Sequence, residues 1–176
     1  MPDVPTSGPV PADMNEIEER LRALEAADLV VGMGQLHILA AGSAETSIAA
    51  TDTYYEVAGT WNLTAGLTGF DESAGNGRLT YVGDEDIMAH IACSISMTVD
   101  GVNDLTHWRL GKNTATVAAS EVQRYVSTGT DVGSTALHLV QLMSTGDYVS
   151  LWVRNAGGTD GVTAEVCNLQ AVSMTM

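Results

Sequence analysis

Residues Leu137–Asn155 read LHLVQLMSTGDYVSLWVRN. Two runs rich in Val, Leu and aromatic residues flank Ser144-Thr145-Gly146-Asp147. In the second run Val149, Leu151 and Val153 alternate with Tyr148, Ser150, Trp152 and Arg154. A period of two is the signature of a strand with two different faces. The intervening four residues contain Gly and Asp, which supply positive φ and side-chain-to-backbone hydrogen bonds. The stretch therefore predicts a β-hairpin, with the rest of the chain packed on it.

Working outward, the same signals recur to the last residue. Strands are expected over 35–41, 54–57, 67–70, 78–82, 87–99, 105–110, 116–127 and 162–174. In 87–99, Ile91, Cys93, Ile95, Met97 and Val99 share one face, with His90, Ala92, Ser94, Ser96 and Thr98 on the other. Asp100-Gly101 and Gly111-Lys112-Asn113 read as turns. Turn signals this frequent mark a β-sandwich or jelly roll rather than alternating βα units. The last run, 162–174, is largely uncharged on both faces: Cys167, Leu169 and Ala171 on one, Val166, Val172 and Met174 on the other. One face meets the opposing sheet, and the second calls for another subunit.

Toward the N-terminus the pattern changes. All four prolines lie in residues 1–12, an extended arm in which Pro2, Val4, Pro5, Pro9, Val10 and Pro11 are the expected anchoring residues. Asp13 caps the next segment, with Glu16 completing a variant capping box. Met14, Ile17, Leu21, Leu24, Asp28 and Val31 then follow at intervals of three and four, the seam of a coiled coil interrupted by Asp28. A helix this short is marginal alone and calls for oligomerisation through the main domain. Trimerisation is thus expected through Met14, Ile17, Leu21, Leu24 and Val31 in the helix and Val166, Val172 and Met174 in the head. The organisation is an arm at 1–12, a short coiled-coil helix and linker at 13–34, and a mainly β jelly-roll head at 35–176.

Charge excludes several functions. The 176 residues carry 22 acids against 7 bases, a formal net charge of −15. A nucleic-acid binder needs a basic face to displace counterions, so that role is excluded. Anionic membrane surfaces repel the chain for the same reason. No apolar run approaches the roughly 20 residues that span a bilayer, and the N-terminus reads without a signal peptide. Cys93 and Cys167 sit among apolar neighbours and are expected to be buried free thiols.

The chemistry-bearing residues are sparse. His37, His90, His107 and His138 form no metal-binding pattern, although His90 and His138 could meet near a three-fold axis. The acidic loops at 83–86 and 100–104 have oxygen ligands that suit Ca²⁺ but no known calcium-loop spacing, so they are expected to be solvated. No nucleophile-elbow, P-loop or dinucleotide pattern is present. No enzyme activity, cofactor or resident metal is expected. Trp152, opposite Val149, Leu151 and Val153, reads as a second-core or trimer-interface residue before a sugar platform.

Gly111-Lys112-Asn113, Arg124, Asp131-Val132-Gly133, Gly146-Asp147-Tyr148-Val149, Leu151-Trp152-Val153 and Asn168-Leu169 together resemble the trimeric jelly-roll heads of the tumour-necrosis-factor and complement-type superfamily. They look most like the bacteriophage versions found in tail fibres, head fibres and capsid decorations. The resemblance covers about residues 36 to 176. It implies a homotrimeric virion protein on the outer surface of the particle, docked on the major capsid or another virion protein. The short coiled coil favours a capsid decoration or short head fibre. Binding to a host-surface glycan is a second role. The alternative is a tail-fibre tip or a receptor-binding, carbohydrate-binding adhesin.

Overall fold

The structure is a computed structural model and describes residues 32–72, 75–127 and 130–174. The expected arm and coiled-coil helix lie outside the described residues. What is described folds as two antiparallel sheets, in keeping with the predicted sandwich. The strands are β1 (Met33–Ile38), β2 (Glu45–Thr46), β3 (Tyr55–Glu56), β4 (Asn62–Leu63), β5 (Phe70–Glu72), β6 (Leu79–Tyr81) and β7 (Ile87–Val99). They continue as β8 (Asp104–Lys112), β9 (Ala115–Thr116), β10 (Val122–Val126), β11 (Gly133–Met143), β12 (Tyr148–Asn155) and β13 (Val162–Met174). One sheet runs β11-β7-β13-β1-β4, with β2 beside β13. The other runs β10-β8-β12-β6-β5, with β3 beside β12 and β9 beside β8.

Strands β7 and β13 have the ends that the alternation predicts, while β8 and β11 run longer than expected. Ile91, Cys93, Ile95, Met97 and Val99 of β7 all face the core, as do Cys167, Leu169 and Ala171 of β13. Trp108 of β8 is fully buried at the opposing wall. Its indole N–H donates to Thr106 Oγ1 at 2.9 Å, and Thr106 donates in turn to the Arg124 carbonyl, so the buried polar atoms are satisfied.

The Leu137–Asn155 stretch is not a hairpin. β11 pairs along its whole length with β7, while β12 pairs with β8, β6 and β3 in the other sheet. The turn geometry is as expected: Gly146 has φ +86°, and the Asp147 N–H donates to the Ser144 carbonyl at 2.9 Å. The chain nevertheless crosses the sandwich there. Leu137, Leu139 and Met143 on one strand and Val149, Leu151 and Val153 on the next line opposite walls of the same core. Period two fixes which side chains point inward and is silent on the partner strand. The expected strand at 116–127 is likewise broken, into β9, a 3₁₀ turn at Ala118–Ser120 and β10. Ser120 is buried and its hydroxyl accepts from the Leu110 N–H at 2.9 Å, which fixes that turn.

Strand polarity gives the head two ends. β1 starts, and β13 and β11 finish, at one end, together with the Ser144–Asp147 crossing. This is where the chain enters from residue 31, and it is called the base. The β7–β8 and β12–β13 connections lie at the other end, the tip.

Candidate functional site: an uncharged sheet face

Among the described residues, the outward face of the β11-β7-β13-β1 sheet is a broad surface whose apolar side chains have no partner in the core. Its rows follow from the register. At the base, Leu142, Met88 and Met174 are cross-strand neighbours. The next row is Val140, His90, Val172 and Met33. Then come His138, Ala92, Gln170 and Gln35, followed by Ala136, Ser94, Asn168 and His37. Ser134, Ser96 and Val166 close the series toward the tip. These five rows hold no Asp, Glu, Lys or Arg, in a chain of net charge −15.

Apolar side chains on this face stay open to water. Val140, Leu142 and Val166 are each 45% exposed, and Met33 and Met174 each 39%. Polar outward residues with apolar inward ones would be ordinary for a one-sided antiparallel sheet. Here the outward face carries no charge, and its two base rows are mostly Val, Leu and Met, the depletion of charge found at the core of an interface. In its middle, Asn168 Oδ1 is buried with no hydrogen-bond partner. Such an acceptor calls for a donor from outside the chain.

The three head residues expected to trimerise, Val166, Val172 and Met174, all fall on this face. Met14, Ile17, Leu21, Leu24 and Val31, like the arm residues Pro2 to Pro11, lie outside the described residues. His90 and His138 are exposed and adjacent here, ring centroids 6.3 Å apart. Among the described residues no three His, Cys, Asp or Glu side chains converge within one chain. Cys93 and Cys167 lie just beneath, both buried and free, with sulfurs 3.5 Å apart. Burial pushes the Cys93 thiol well up, which keeps it protonated and inert. Val140 and Leu142 belong to the site as well, and their alternation with the buried Leu139 and Met143 carried the signal in the sequence.

The outward face of the other sheet differs: it is covered and charged. Trp152 lies there, not on the neutral face. Its indole donates to Ser150 Oγ at 2.9 Å, and its ring fills the space over Gly111. Nearby, Glu121 accepts from Tyr54 Oη at 2.6 Å, from Arg109 Nε at 2.8 Å and lies 3.1 Å from His107 Nδ1. Arg109 and Arg154 both stack on the Tyr54 ring. The Tyr54 hydrogen bond, with those from His107 and Arg109, outweighs burial and lowers Glu121 from 4.5 to about 2. Burial first, and the bond to Glu121 second, raise Tyr54 to about 12. The cluster pins the 51–57 segment to the sheet.

Its pH signature follows directly. A carboxylate whose folded pKa is depressed stabilises the fold above its unfolded pKa and loses that contribution as pH falls. Stability is therefore expected to fall between pH 4.5 and about 2, by ~1–2 kcal/mol after allowing for solvent screening at a side chain that is 21% exposed. Urea titrations of wild type and Glu121→Gln at pH 7 and pH 3 check this. The variant should lose stability at pH 7 and show a flatter acid limb; parallel limbs would refute it.

No family model matches the chain, and no curated protein matches it. Solved structures do. The structure of Eiger TNF from S. frugiperda superposes with a TM-score of 0.51 at 15% identity, covering 82% of this chain and 93% of that one. Murine APRIL gives 0.46 at 11% identity, over 81% and 99%. PRD1 vertex protein P5 gives 0.47 at 13%, over 81% and 96%. The first likeness shows the fold: the described residues form a tumour-necrosis-factor-type jelly-roll head, the fold that the sequence resemblance implied.

Proposed function

We propose that this chain is a structural protein of a bacteriophage particle, a homotrimeric capsid decoration or short head fibre. The neutral sheet face carries the reading. Three copies packed through it bury the exposed Val, Leu and Met side chains and keep the charged surfaces in water. Its most apolar rows lie at the base, beside the point where the chain arrives from the heptad segment. Trimerisation through the head would also raise the local concentration of the three heptad segments, which are too short to associate alone. The order of arm, coiled coil and outward head supports the virion assignment, with residues 1–12 docked on the major capsid or another virion protein. Adhesion of the head to a host-surface glycan is a second role.

The test is the native mass by light scattering of the full chain and of a chain lacking residues 1–12. Each is expected at three times its own chain mass, which is 18.4 kDa for the full chain, at low and high salt, with only the full chain incorporated into particles. A monomer of the full chain overturns the trimer. Full incorporation of the shortened chain overturns the anchoring role and favours the adhesin reading.

A further inference from the structure

At the tip, the connections β7–β8 (residues 100–103) and β12–β13 (156–161) bring two carboxylates together. Asp104, the first residue of β8, is only 3% exposed. Its Oδ2 is fully buried and has no hydrogen-bond partner. Asp160 lies above it and is exposed. A Cβ at Gly101 would collide with Asp160 Oδ2 and Asp104 Oδ2 at once, so both oxygens crowd the same point over that glycine. Both are therefore within reach of one cation, whose Ca–O bonds run about 2.3–2.6 Å. Among the described residues neither carboxylate forms an ion pair with Lys, Arg or His. Arg154, on the same strand end, is committed to Asp52 at 2.7 Å.

Two facing carboxylates, one of them buried and unpartnered, repel each other and leave a lone pair unmet. The surrounding backbone is already fixed. Asn155 is fully buried; its Oδ1 accepts from the Gly157 and Gly158 N–H groups, and its Nδ2 donates to the Asp160 carbonyl at 3.3 Å. The Asp100 N–H bonds the Gly161 carbonyl at 3.1 Å, which ties the two loops together. The loop therefore holds Asp160 over Asp104 independently of any ligand.

We infer that Asp104 and Asp160 form a divalent-cation site of the calcium type at the tip of each head. Oxygen-only donors, with no nearby Cys or His, select a hard cation, and an exposed outer ligand leaves room for water in the remaining positions. Asp104 supplies the inner oxygen and Asp160 closes the site from outside. Asp104 was expected to be solvated with the rest of its acidic loop; the β12–β13 loop covers it instead. With two carboxylates the affinity falls in the range of about 10⁻⁴–10⁻³ M found in extracellular calcium modules.

Chelator-treated full-length protein is titrated with CaCl₂ alone by calorimetry and by thermal unfolding. Calcium at ten times its Kd should raise Tm by ~3–6 °C, with magnesium giving less. Asp160→Asn, at an exposed position, should keep the calcium-free Tm and lose at least tenfold in calcium affinity. Asp104→Asn should unfold no earlier than calcium-free wild type and lose the calcium response. Asp84→Asn, in the exposed acidic loop near the base, should respond like wild type. Absence of a wild-type response up to 10 mM CaCl₂ overturns the site. So does an unchanged response in Asp160→Asn, which would mark diffuse binding to an acidic surface.

Discussion

Asp147→Ala is expected to destabilise the head by ~3 kcal/mol, a Tm drop of roughly 6–12 °C for a chain of this size. Asp147 holds the base of the sandwich at the point where the chain crosses between sheets. Its Oδ2 lies 2.7 Å from Lys112 Nζ and accepts from the Ser144 N–H at 2.9 Å. Its Oδ1 accepts from Asn113 Nδ2 at 2.9 Å. Its backbone carbonyl accepts from the Tyr81 N–H. Truncation leaves an ammonium, an amide and a turn N–H without their shared acceptor, and orphaned donors cost more than the bond itself contributes. Although burial opposes it, the bonds from Lys112, Asn113 and Ser144 hold the Asp147 carboxyl below the ordinary range. Its contribution is therefore complete above the unfolded pKa and fades in acid. Asp147→Asn, which keeps the shape and loses the charge, should cost about half as much. Denaturant unfolding at neutral pH reads all three proteins. Equal stability of Asp147→Ala and wild type would show that the crossing is held by core packing alone.

The same residue shows what could be read from the sequence. Gly111-Lys112-Asn113 and Gly146-Asp147-Tyr148 stand out as separate turn signals. The structure joins them: besides the Asp147 contacts, the Asn113 N–H donates to the Tyr148 carbonyl at 2.9 Å, and Asn113 Oδ1 accepts from the Tyr148 N–H. Strands β7 and β13 were legible to the residue because thirteen alternating positions average out local exceptions. β2, β4 and β9, at two residues each, are too short to show a period. The crossing at 144–147 was misread because a tight turn between two apolar runs looks the same whether the runs pair or part. The neutral face was legible as an absence of charge along Val166–Met174. The buried Asp104 was not, since its cover comes from a loop more than fifty residues away. The faint signal for it is a pair of glycine-bearing acidic turns, Asp100-Gly101 and Gly157-Gly158-Thr159-Asp160, at the ends of strands that pair.

Val172→Glu is expected to convert the trimer to monomers while leaving the fold of each head intact. Val172 sits between His90 of β7 and Met33 of β1, on the outward face, so the longer side chain meets no core atom within its own chain. In the proposed trimer the same position would lie in the apolar part of the interface, and three-fold symmetry would place three new carboxylates there. Burying an unpaired carboxylate costs several kcal/mol per ion. At ~3 kcal/mol per subunit the association constant falls by more than 10⁶-fold. No Lys or Arg stands in the five rows of that face to compensate. Val102→Glu makes the same chemical change at a tip residue that is 66% exposed, and should remain trimeric. Light scattering gives the mass, and far-UV circular dichroism shows whether the strands persist. A Val172→Glu protein that stays at three times the chain mass would mean that the neutral face is not the contact, and that the heptad segment alone holds the subunits together. A folded monomer would place the three-fold axis against β7 and β13. The exposed Val, Leu and Met side chains, the unpartnered Asn168 oxygen and the His90–His138 pair would then belong to one buried surface.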